Sequence, residues 1–216
     1  GSETIKPILP RIFQLIYQDS DATPMILSMY LSILALVLLS SHKIFAETIT
    51  TLSQSHDCTE ENVLDLILDV WLSKMCNVSQ VERRKLLGLA LANLLTTQSR
   101  PVMTRLNGVM LNILEALNDT CKTDDSGVCV DSLLLMDGQS PSDFQDDSES
   151  YYETDHDQRK KELISSDPVH LIVLKDYFQS QVHQLKNQIG QTQYEQLLLT
   201  VNADTLSQIN EYYFPL

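Results

Sequence analysis

At 216 residues, with 43% hydrophobic, 6% aromatic and 20% charged side chains, the chain carries enough apolar material for a Leu-built core, in one or two domains or one elongated repeat array. Six glycines and seven prolines are few for a sheet-and-turn protein, and the charge content is too low for general disorder. A net charge of −14 and a pI of about 4.6 argue against nucleic acid or an anionic membrane as a direct partner, because phosphates reward Lys and Arg.

Gly1 and Ser2 read as the remnant of an expression tag, so residues 1–2 are set apart and the chain reads as a fragment of a longer protein. Ile5, Leu9, Ile12, Phe13 and Ile16 then share one face of a first helix. Thr23-Pro24 supplies an N-cap followed by Pro at the first helical position, opening a helix over Met25–Leu39. Its apolar run, Pro24 to Leu39, is shorter than the roughly 20 residues of a membrane span and reads as a core helix. A shorter helix covers about Lys43 to Leu52. Thr59 caps the next, with Glu60 and Glu61 in the first turn and Leu64, Ile67, Leu68, Trp71 and Met75 as its stripe. Trp71, the single tryptophan, reads as a wedge between helices.

Ser79-Gln80-Val81-Glu82 has the form of a capping box. The helix it opens carries Leu87, Ala90, Leu91, Leu94 and Leu95 on one face, and Leu86 and Leu89 widen the apolar surface until both sides need cover. Pro101 starts a helix running through Val109, Ile113 and Leu117. Asp167-Pro168 is a second cap-plus-Pro start, followed by Leu171, Leu174, Phe178, Val182, Leu185 and Ile189 at helical spacing, with Gly190 as the stop. Two short amphipathic helices, around Tyr194–Val201 and Thr205–Tyr213, finish the chain.

Between these helical parts the character changes. Asp119 to Asp157 holds twelve acids and one base, Lys122, and so supplies eleven of the fourteen excess negative charges. The division that follows is helical repeats over 3–119, an acidic insert over 120–157, and helical repeats again over 158–216. Inside the insert, Val128, Val130, Leu133, Leu134, Leu135 and Met136 form an apolar island. Such a run is expected to pack back onto the helices as an anchor, leaving Ser140–Asp155 as the charged half. Ser140-Pro141 has the form of a proline-directed phosphorylation site. Two basic clusters, Arg83-Arg84-Lys85 and Arg159-Lys160-Lys161, either pair with the insert or an acidic partner or form solvated helix faces, the latter favoured for Arg83 and Arg84.

No pattern of catalytic or metal-binding residues is present. Cys58, Cys76, Cys121 and Cys129 contain no C-x-x-C pair and read as reduced thiols, a Cys121–Cys129 disulfide being the minority alternative. Two glycosylation-type tripeptides, Asn77-Val78-Ser79 and Asn118-Asp119-Thr120, mean little without a secretory context. His42, His56, His156, His170 and His183 are scattered, and no phosphate-binding Gly loop or nucleophile elbow appears. An enzyme is not the expectation, and no cofactor is expected.

The helices come in pairs of about 40 residues, the period of HEAT-type repeats, so the expected fold is an all-α solenoid of HEAT-like antiparallel helix pairs with one long acidic loop inserted. A compact helical bundle is the alternative. Two passages add to this reading: Lys74-Met75-Cys76-Asn77-Val78-Ser79-Gln80-Val81-Glu82-Arg83-Arg84-Lys85-Leu86, and Asp157-Gln158-Arg159-Lys160-Lys161-Glu162-Leu163 followed by Ser166-Asp167-Pro168-Val169-His170. Their order and spacing around an acidic insert resemble the C-terminal end of receptors of the importin-β (karyopherin-β) family. That resemblance implies a superhelical stack that shuttles between cytoplasm and nucleus and carries protein cargo, ubiquitin-conjugating enzymes and a ribosomal protein among them. It also implies nucleoporin contact and release of cargo to the small GTPase Ran in its GTP form, bound mainly through repeats outside this chain. Within the insert, Asp143, Asp146, Asp147, Glu149, Glu153 and Asp155 are the candidate partner-binding residues. They draw basic cargo by long-range attraction, gate the solenoid from within, or are simply solvated. The alternative function is a HEAT-type scaffold with a constitutive protein partner.

Overall fold

The computed structural model describes residues 7–18, 23–123, 129–134 and 166–212, and eleven α-helices make up nearly all of their regular structure. α1 (Leu9–Gln18) buries Leu9, Ile12, Phe13 and Ile16, one face at helical spacing. α2 (Pro24–Ser40) begins behind Thr23 with Pro24 in its first turn, although the Thr23 side chain makes no cap bond. Extended Ser41 ends α2 and caps α3 (His42–Ser55), its Oγ accepting from the Ile44 N–H at 3.3 Å. Thr59 Oγ1 does the same for α4 (Glu60–Lys74), accepting from the Asn62 N–H at 3.1 Å. Trp71 is fully buried, and the Phe13 and Phe45 rings meet at 6.2 Å across α1 and α3.

α5 (Val81–Leu95) is the axis of the fold. Every residue from Lys85 to Leu95 is buried. A helix apolar on all sides is covered on all sides, and here α2, α7 (Leu106–Thr120) and α9 (Leu174–Ile189) supply the cover. Gly88 permits one of these approaches: a Cβ added there would lie 3.0 Å from the Ala116 Cβ of α7 and 3.5 Å from Leu174 Cδ2. The remaining helices are α6 (Arg100–Thr104), α8 (Pro168–Leu171), α10 (Gln191–Leu198) and α11 (Ala203–Glu211). α10 packs on α9, and α11 returns to α7. One continuous hydrophobic core runs from Leu9 to Ile209. The architecture is an all-α stack of HEAT-like helix pairs.

Several local expectations are corrected. The capping box at Ser79 does not form: α5 starts one residue later, with Gln80 at the N-cap position and no side-chain cap bond. The helix expected from Pro101 to Leu117 is broken at Arg105 (φ −109°, ψ 18°) into α6 and α7. The helix expected from Pro168 to Ile189 breaks at Ile172 and Val173, both extended. Thr120, assigned to the insert, is the last residue of α7, and the insert begins not as irregular chain but as a short hairpin. Its strands β1 (Cys121–Thr123) and β2 (Cys129–Asp131) run antiparallel, with Cys121 opposite Asp131 and Thr123 opposite Cys129. The stop at Gly190 is as expected, at φ 82°.

Candidate functional site at the root of the acidic insert

α5 carries Lys85 into the interior, where its side chain has no solvent exposure. A lysine in such a place needs an anion and hydrogen-bond acceptors. β2 provides the anion: Asp131 Oδ2 lies 2.8 Å from Lys85 Nζ, and the Asp131 side chain is equally hidden. Lys85 Nζ also donates to the backbone carbonyl of Val169, in α8 on the far side of the insert. The carboxylate is satisfied on both oxygens. Oδ1 accepts from the Leu133 N–H at 3.1 Å, and Oδ2 accepts from the Leu174 N–H, the first residue of α9, at 3.3 Å.

More bonds close the same knot. Ser132 N–H donates to the Thr120 carbonyl at 2.8 Å, fixing the hairpin to the end of α7. Asp167 Oδ1 caps α8 by accepting from the Val169 N–H at 3.0 Å. His170 Nδ1 sits 2.8 Å from the Leu133 carbonyl, directly joining the two sides of the insert. Burial lowers the Lys85 pKa below its usual 10.5, an effect partly opposed by the hydrogen bond to Asp131 and by the charges of Asp131 and Asp167. Removing one partner of such a hidden pair costs about 3–5 kcal/mol, because the other charge is left buried and alone.

The basic cluster Arg83-Arg84-Lys85 is therefore not a solvated face. Arg83 Nη1 donates to Ser28 Oγ of α2 at 3.1 Å. Arg84 grips the end of α7, with Nη1 2.6 Å from Asp119 Oδ2 and Nη2 3.3 Å from Glu115 Oε2. Among the described residues, Lys85 is the member of the cluster that reaches the insert, through Asp131. Sequence reasoning counted Asp131 among the insert's surface charges and so missed its role. The available signal was a lone lysine opening the run Leu86–Leu95, where only a buried acid makes its presence tolerable.

Of the apolar island, Leu133 packs against the core and Val130 and Leu134 are half-buried, as an anchor requires; Val128, Leu135 and Met136 lie outside the described residues. Asp143, Asp146, Asp147, Glu149, Glu153 and Asp155, together with Ser140-Pro141, His156 and Arg159-Lys160-Lys161, also lie outside them. The structure brings together the two ends of the insert. Among the described residues no cluster of His, Cys, Asp or Glu is arranged to hold a metal, and no helix is long and apolar enough to cross a membrane. A groove of about 470 Å³ opens between α1, α3 and α4, lined by Phe13, Ile16, Leu52, Val63 and Ile67 with His56 at its wall.

Stacked helix pairs around a buried central helix, with an acidic insertion clamped at its base, define an α-solenoid repeat protein. The family model described as importin-11-like, TPR repeats, matches residues 4–214, and the chain belongs to that family. TPR and HEAT arrays are both stacks of helix pairs. The chain is similar to importin-11 of Homo sapiens, 27% identical over 98% of this chain and 21% of that protein, and to importin-11 of Mus musculus, 25% identical over the same shares. It is also similar to importin beta-like protein KAP120 of Saccharomyces cerevisiae, 22% identical over 73% of this chain and 15% of that protein. The chain thus spans about a fifth of the length of the importin-11 relatives it matches. No solved structure matches it significantly.

Proposed function

We propose that this chain forms the C-terminal part of a nuclear import receptor, one that binds protein cargo on its stacked helices and releases it in response to Ran-GTP. The observation carrying this reading is the family match through residues 4–214, which includes both flanks of the insert. Such a receptor shuttles between cytoplasm and nucleus, meets nucleoporins, and holds Ran mainly through repeats outside this chain. Its cargo is basic protein, ubiquitin-conjugating enzymes and a ribosomal protein being the kinds the resemblance suggests.

The acids Asp143, Asp146, Asp147, Glu149, Glu153 and Asp155 then act by steering, raising the rate at which basic cargo arrives. The commitments of Arg83 to Ser28, Arg84 to Asp119 and Lys85 to Asp131 favour this over an internal gate, since that basic cluster is already occupied. The test of transport uses the intact receptor: partners are captured with and without Ran-GTP. Cargo that leaves only when Ran-GTP is added supports import, and cargo that stays regardless supports a constitutive scaffold. For steering, deletion of Asp143–Asp155 is expected to slow association with basic cargo about tenfold at low salt, with the difference shrinking at physiological salt as the Debye length falls to about 8 Å. Equal rates at low salt would sink the steering role.

A further inference from the structure

The insert has two roots on the frame. The entry root comprises the two paired strands and the turn that follows, residues 121–123 and 129–134, and the exit root runs from Ser166 to Leu174. Neither has much regular structure of its own. The hairpin has two three-residue strands, which are not stable in isolation, and α8 is a single turn of four residues. What joins them is polar. Asp131 of the entry root accepts from Leu174 of the exit root, Lys85 bonds both Asp131 and the Val169 carbonyl, and the Leu133 carbonyl meets His170.

From this arrangement we infer that Lys85 and Asp131 form a latch, seating both roots of the insert on α5 as one unit that opens at both ends together while the helical frame stays folded. The cooperativity comes from the hidden charge. If the entry root alone lifted away, Lys85 would remain buried against Val169 without its anion. If the exit root alone lifted, Asp131 and Lys85 would lose the Leu174 N–H and the Val169 carbonyl and stand half satisfied. Both halfway states are penalised, so the closed and fully open states dominate. The frame does not depend on the latch, because α5 is held by the apolar faces of α2, α7 and α9. The inference concerns anchoring, and it stands whether or not the insert meets cargo.

Hydrogen exchange read by mass spectrometry on the full chain tests it. In Asp131→Asn, amides in both roots, 121–123 with 129–134 and 166–173, are expected to exchange at least about a hundredfold faster than in the wild type and by a common factor. Amides of α2 and of Leu89–Leu95 in α5 are expected to keep wild-type protection. Loosening of one root alone, of neither, or of the frame in proportion overturns the latch. Should Asp131→Asn fail to fold, the wild type in graded urea decides the matter. A shared opening of both roots below the global transition supports the latch, and root exchange that occurs only with global unfolding refutes it.

Discussion

Two buried side chains have titrations whose direction follows from burial. Tyr194 is almost completely enclosed, its hydroxyl finds no hydrogen-bond partner among the described residues, and Lys186 Nζ lies over its ring at 5.5 Å. Burial disfavours the phenolate and pushes the pKa up to about 12 from 10.0. Below pH 10 the neutral phenol is present in both folded and unfolded chains and the full stability remains. Between pH 10 and 12 the unfolded chain ionises first, so this group withdraws stability as pH rises, by about 2–3 kcal/mol in all. Tyr194→Phe should show no such alkaline loss and should be about 1 kcal/mol more stable at pH 7, because an unpartnered hydroxyl is removed; urea midpoints at both pH values check this. Lys85 runs the other way. Its folded pKa lies below 10.5, so above that lowered value the unfolded chain binds more protons and stability rises with pH. The urea midpoint of the wild type relative to Lys85→Met is expected to move in the wild type's favour from pH 7.5 to 10. A shift toward Lys85→Met would show that Asp131, not burial, dominates its environment.

At the scale of elements, close approach and helix breaks matter most. Gly88 is a poor helix residue by about 1 kcal/mol against Ala, yet it sits where α5 meets α7 with only 3.0 Å between a hypothetical Cβ and Ala116. The facing atom belongs to a short side chain with no freedom to turn aside, so packing outweighs propensity. Gly88→Ala should lower stability by about 1 kcal/mol, read from denaturant midpoints, and a gain would mean that α7 shifts easily. Arg105 explains the break between α6 and α7. It bonds Asp65 and, with Nε at 2.8 Å, Asp69, tying the break to α4, and these carboxylates raise its pKa, the Asp69 hydrogen bond most of all. Arg105→Lys keeps the charge but not the fork of donors, and a loss of about 1 kcal/mol is expected in thermal melts. These breaks were not legible in the sequence, because each is set by a contact distant in the chain. The stripes of α1 and α9, the Thr59 and Asp167 caps and the Gly190 stop were legible, since their causes lie within four residues of their effects.

The same distinction governs the whole molecule. Helical pairing, the all-α class and the presence of an insertion follow from periodicity and composition, and the two flanking passages were sufficient for family resemblance. The Lys85–Asp131 pair joins positions with α6, α7 and β1 between them, and no local pattern announces which acid a buried lysine will choose. That pair lies within a core that continues from Leu9 to Ile209, with α5 held between α2 from before the insert and α9 from after it. The insert therefore interrupts the sequence without dividing the core, and the helices on its two sides should unfold together. Trp71, the single tryptophan and fully buried in α4, reports on the first part, while far-UV circular dichroism reports on all helices. The two signals are expected to give one urea transition with the same midpoint, as for a two-state fold. If the helices after the insert formed an independent unit, circular dichroism would show a second transition to which Trp71 is blind. The depth of α5 makes that outcome costly, because losing α9 alone would expose Leu174, Phe178, Val182 and Leu185 together with the α5 face they cover.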